Sequence, residues 1–79
     1  MKRPVVTVML TEADGQLVAE SVKQAFNSGI RESEALVREI ARGEYTLYSG
    51  GEPVRQGDVY TRIWTSDADG RSLTAVVSK

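Results

Sequence analysis

Apolar residues crowd the start of the chain and then thin into periodic patterns. Val5-Val6-Thr7-Val8-Met9-Leu10 is apolar or β-branched at every position. A strand wetted on one face alternates. This run predicts a strand inside a sheet or an oligomer interface, covered on both faces. Pro4 lacks an amide hydrogen and marks its start. Leu17, Val18, Val22, Ala25 and Phe26 then recur at helical spacing, which predicts a first helix with one buried stripe. Thr11 is its expected cap, and Glu12 and Asp14 bring negative charge to its positive end. Asn27-Ser28-Gly29 is its expected stop, with Gly29 in a left-handed cap and Ile30 packing back over it. A second helix is predicted over 33–42 from Leu36, Val37, Ile40 and Ala41. Glu34 pairs with Arg38 along it, and Gly43 ends it.

From Glu44 the period changes to two. Tyr45-Thr46-Leu47-Tyr48 predicts a short strand, and Gly50-Gly51-Glu52-Pro53 a loop. Across 59–65 the chain alternates, with Val59, Thr61 and Ile63 on one side and Tyr60, Arg62 and Trp64 on the other. Asp67-Ala68-Asp69-Gly70 is a turn that needs positive φ at Gly70, and 71–77 is the return strand of a hairpin. The expected order is β-α-α-β-β-β. It makes 1–79 a single α+β domain, with two helices packed on one face of a small antiparallel sheet.

Composition narrows the chemistry. With 79 residues the chain forms one domain at most, and so short a chain buries only roughly 60% of its unfolded surface. It has no cysteine and no histidine, which removes disulfides, thiolate zinc sites, thiol nucleophiles and imidazole acid–base chemistry. No metal and no cofactor are expected. Homodimerisation is the remaining common support for a small core, and the edge of the apolar first strand is the expected pairing site. A net charge of −1 leaves no overall electrostatic footprint for nucleic acid. Lys2 and Arg3 precede an apolar run too short for a signal peptide, and no segment approaches membrane-spanning length, so a cytoplasmic protein is expected.

Residues 3–43 resemble the ribbon-helix-helix DNA-binding proteins. The run Val5–Leu10 matches their strand, and Leu17, Val18, Val22 and Ala25 their first helix face. Ser33-Glu34-Ala35-Leu36-Val37-Arg38 matches the start of the second helix in antitoxin-type members. The resemblance implies a dimeric ribbon that enters the DNA major groove through the face of Arg3, Val5, Thr7 and Met9. On that face only Arg3 and Thr7 carry hydrogen-bonding side chains, so they are the DNA-contact candidates.

A second candidate surface lies further along. Tyr60, Arg62 and Trp64 alternate onto one side of a strand, and aromatic residues with arginine are what binding hot spots use. Arginine between two aromatics argues for a partly wet face, with Val59, Thr61 and Ile63 turned to the helices. Tyr48 and Arg55 are added to that candidate surface. Asp67–Gly70 lacks the further ligands of a calcium loop, since the twelfth position counted from Asp67 is Ser78. Gly50, Gly51 and Gly57 lack the Gly-Lys-Ser/Thr and the strand-to-helix context of a phosphate loop. Asp58, Asp67 and Asp69 form no paired constellation, so catalysis is not expected. The sequence favours a small non-catalytic regulatory or inhibitory protein that acts by protein–protein binding. In size and composition it resembles phage and mobile-element accessory proteins, anti-CRISPR inhibitors among them. The alternative is a ribbon-helix-helix repressor or antitoxin.

Overall fold

The first turn of the chain decides the architecture. The computed structural model describes residues 5–79, so the expectations placed on Arg3 and Pro4 lie outside the described residues. Strand β1 (Val6–Glu12) turns through residues 13–16 and returns as β2 (Leu17–Lys23). Gly15 takes a φ of 84°, and its amide donates to the Glu12 carbonyl at 2.9 Å. Asp14 Oδ1 accepts from the Gln16 amide at 2.9 Å. Asp-Gly between two β-prone runs is a hairpin signal. The segment expected as a first helix is therefore a strand, in register with β1 from Val6 opposite Lys23 to Leu10 opposite Ala19. Its apolar residues fit a helix, and they fit a strand only with the register shift between Leu10 and Thr11, but the pairing edge of β1 settles the choice. Thr11 and Glu12 belong to β1 and cap nothing.

The helix α1 (Phe26–Ile40) starts where the first helix was expected to end. Asn27, Ser28 and Gly29 lie in its first turn. Gly29 is a close-packing position rather than a cap. A Cβ there would stand 2.8 Å from Val6 Cγ2 and 2.9 Å from Val77 Cγ1. Gly29, Ser33, Val37 and Ala41 recur every fourth residue, and all are buried. These small side chains bring the helix down onto the sheet. The Ser33 hydroxyl donates to the Ile30 carbonyl at 2.7 Å, which satisfies it without water. The Ala41 amide bonds the Val37 carbonyl, and Gly43 at φ 79° then turns the chain away.

After a 3₁₀ turn at Tyr45–Leu47 come β3 (Tyr48–Gly50), β4 (Val54–Gln56), β5 (Val59–Ser66) and β6 (Ser72–Ser78). Tyr45–Leu47 was expected as strand and forms that turn instead. The β5–β6 hairpin is as expected, with Gly70 at φ 73° in its turn. The strands form one antiparallel sheet in the order β2-β1-β6-β5-β3, with β4 pairing β5 further along. The mixed α+β character holds, but two helices on a small sheet does not. Among the described residues one α-helix lies on one face of six strands, in the order β-β-α-β-β-β-β.

The core fills the space between α1 and the sheet. Val6, Val8, Ile30, Tyr60 and Val77 pack at one end. Leu10, Val37, Trp64, Leu73 and Ala75 pack at the other, and Leu36 touches both groups. β1 lies inside the sheet with both edges hydrogen-bonded, so it has no free edge for a two-fold mate. It is also not covered on both faces. Val6, Val8 and Leu10 are buried under the helix side, whereas Thr7 and Met9 on the reverse are only half-buried.

Candidate functional site

Strand alternation sorts the proposed binding residues, and it sorts them opposite to expectation. Tyr60 and Trp64 point to the helix and are 2% and 5% exposed. Val59 and Ile63, expected to face helices, are 40% and 50% exposed on the far side. The physical reason is volume. The cavity under one helix takes the largest aromatic side chains, whose burial contributes most per residue.

Arg62 stays on the helix side because it has an exit. Its guanidinium lies over the Trp64 ring, 4.2 Å from the centroid. Nε donates to the Gly51 carbonyl at 3.0 Å, and Nη1 stands 3.5 Å from a Glu34 carboxylate oxygen on α1. Gly50 is needed for this pose, because a Cβ there would sit 2.6 Å from Nη2. The trio is thus a sealed corner of the core. Arg62 closes it from solvent, and the Trp64 indole N–H is buried with no acceptor among the described residues. Tyr45 packs against Trp64 with ring centroids 6.0 Å apart. Tyr48 is half-buried against the same cluster, and exposed Arg55 lies 5.9 Å over Tyr60. The fold does gather Tyr48, Arg55, Tyr60, Arg62 and Trp64 on one side. It buries Tyr60 and Trp64 and leaves Arg55 exposed.

The other face of the sheet is open. Register places its side chains in rows. One runs Glu20, Met9, Val76, Thr61, Val54 across β2, β1, β6, β5 and β4. A flanking row is Val22, Thr7, Ser78, Val59, Gln56, and on the other side stand Leu17, Thr11, Thr74 and Ile63. Leu17, Val22, Val54, Val59 and Ile63 are all at least 40% exposed. An antiparallel sheet with one solvated face ordinarily turns polar residues outward. Here the outward set is aliphatic and hydroxyl-bearing, and Glu20 is the only charged side chain among its described strand residues. Thr7, the second DNA-contact candidate, is half-buried on this face, which carries no lysine or arginine among the described strand residues. Phosphate binding depends on such cations.

A shallow cleft of about 290 Å³ lies at the sheet end, where Glu12, Asp14, Tyr48, Asp69 and Arg71 meet. Its Asp69 and Arg71 are already engaged. Asp69 Oδ2 takes the Arg71 Nε–H at 2.6 Å, Asp69 Oδ1 takes the Arg71 amide at 3.1 Å, and Arg71 also pairs with Glu44. The Arg71 backbone amide, with its guanidinium, holds the Asp69 carboxyl below its usual range. The Asp67–Gly70 segment therefore spends its carboxylate on its own turn. No group of three metal-ligating side chains occurs among the described residues. No helix among them is long and apolar enough to cross a membrane.

The alternation of 59–65 separates the two sets of side chains, but periodicity alone does not say which set faces the helix, so Val59 and Ile63 emerge as surface only in the fold. The useful signal was that Tyr60 and Trp64 outweigh Val59 and Ile63 in volume. No family model matches the chain, and no curated protein or solved structure matches it either.

Proposed function

We propose that this chain is a small non-catalytic regulatory or inhibitory protein that acts by protein–protein association through the open face of its sheet. One observation carries the reading: Leu17, Val22, Val54, Val59 and Ile63 are exposed together on a face whose described strand residues include a single charge. Contiguous exposed apolar surface marks interaction sites in soluble proteins. Charge depletion is the compositional signature of an interface centre. The expected Tyr60–Arg62–Trp64 surface gives way to this face because its two aromatic side chains are core.

The test is retention on the immobilised chain of its own free copy and of protein from native extract. Ile63→Lys places a charge on the face at a position 50% exposed, so folding tolerates it. The wild type and Ala35→Lys, altered on an exposed helix position, retain protein, and Ile63→Lys does not. Equal retention by both variants overturns the reading.

A further inference from the structure

We infer that the occupant of the open face is a second copy of this chain, packed sheet against sheet about a two-fold axis near Met9 and Val76. The inference rests on the face being a binding surface, and it names the partner.

Three observations favour a second copy. The first is charge. A surface meets itself in a two-fold contact, so every charge it carries near the axis meets its own like. Met9, Val76, Thr61, Thr7, Thr11 and Thr74 form an uncharged centre, and Glu20 stands on β2 at the margin, where water reaches it. Threonine hydroxyls donate and accept, so they pair with their own kind. Each chain bears a net charge of only −1, which adds little repulsion.

The second is area. Four strands of seven or eight residues and the three-residue β4, about 4.8 Å apart and at roughly 3.3 Å per residue, present a patch of roughly 500 Å². Two such patches reach about 1,000 Å², the lower bound for a specific interface. The third is architecture. Among the described residues a single helix covers one side of the sheet and no element covers the other, and face-to-face sheets supply a layer at about 10 Å spacing. Pairing through β1, the route read from the sequence, is closed because both its edges are bonded.

The test is light scattering on the purified chain at roughly 10–100 µM, the range in which a micromolar dimer forms. The expected mass is twice the 8.6 kDa of one chain. Ile63→Lys, on β5 three strands from β2, is expected to weaken the dimer by roughly a hundredfold or more, with unchanged circular dichroism, because it buries two unpaired charges per interface. The chain has no cysteine, so Val76→Cys alone reports the axis. Under oxidation it forms a disulfide-linked dimer, and Ala35→Cys does not. A monomeric wild type overturns the second copy. If Ile63→Lys still abolishes retention from extract, the binding face itself stands with a different partner. A dimer indifferent to Ile63→Lys, or Val76→Cys that fails to cross-link, overturns the face-to-face arrangement.

Discussion

The two faces of one sheet are built from the same strands and the same β-branched vocabulary, yet they have opposite fates. On the helix side, Val6, Val8, Leu10, Ala75 and Val77 are at most 1% exposed, and Tyr60 and Trp64 fill the space left between strand and helix. On the reverse, Val22, Val59 and Ile63 stand at 40–62%. Nothing in side-chain type separates Val8 from Val22. What separates them is which face the helix covers. The apolar content of a strand therefore says how much surface needs cover, and only the packing says which side has received it.

That contrast breaks most visibly on β5, where adjacent residues face opposite ways. Trp64→Ala empties the second core cluster and leaves Arg62 without the ring it lies on. It is expected to cost roughly 3–5 kcal/mol, enough to unfold much of so small a domain. Ile63→Ala, one residue away, is expected to cost less than about 1 kcal/mol in the monomer. Urea denaturation of the two variants measures the difference. Equal losses would mean that the helix does not define the inside.

A smaller effect sharpens the helix side alone. Gly29→Ala adds one methyl group where Val6 and Val77 already stand within 3 Å of it. Helix propensity favours alanine by about 1 kcal/mol. Overpacking is expected to outweigh this and leave a net loss within the roughly 1–3 kcal/mol usual for crowded cores. A gain in melting temperature would show that the helix can lift off the sheet freely.

The smallest effect concerns the clamp between α1 and β2. The Ser21 hydroxyl donates to Glu32 at 2.6 Å, and Lys23 pairs with the same carboxylate at 3.2 Å. The Ser21 bond, with help from Lys23, holds the Glu32 carboxyl below its usual value against the opposing pull of desolvation. A depressed folded-state value means the contribution is complete above the unfolded value of about 4.3 and is lost as pH falls through the folded one. Lys23 is half-exposed, so the pair contributes less than about 1 kcal/mol. Glu32→Gln is expected to flatten the acid limb of the stability–pH curve by lowering stability above about pH 5 by less than about 1 kcal/mol, with little change at low pH. A limb as steep as the wild type's would assign the slope to other carboxylates.

Much of the second half was legible from local pattern. The β5–β6 hairpin follows from clean alternation on both sides of a turn with glycine at positive φ, and all of that information is local. The first half was not, because Leu17, Val18 and Val22 fit helical spacing and fit a strand only through the register shift opposite Leu10 and Thr11. The Asp14-Gly15 pair carries the deciding signal, a turn between two strands, whereas Asp14 beside Thr11 and Glu12 also suits a helix start. Gly29 was misjudged for a related reason. A glycine after Asn-Ser is an ordinary helix stop, and nothing nearby in sequence reveals that Val6 and Val77 press against it.

The sequence alone determined that the chemistry of thiols and imidazoles is absent, that helix and strand are mixed, and that β5 and β6 pair. Those properties depend on composition or on residues a few positions apart. The tertiary structure decided that residues 17–23 are strand, that Tyr60 and Trp64 are core, and that the aliphatic reverse of the sheet is the surface left over. Each of these turns on contacts between distant segments. A period-two pattern divides residues into two sets, but the side a set faces is chosen by the helix that lands on it.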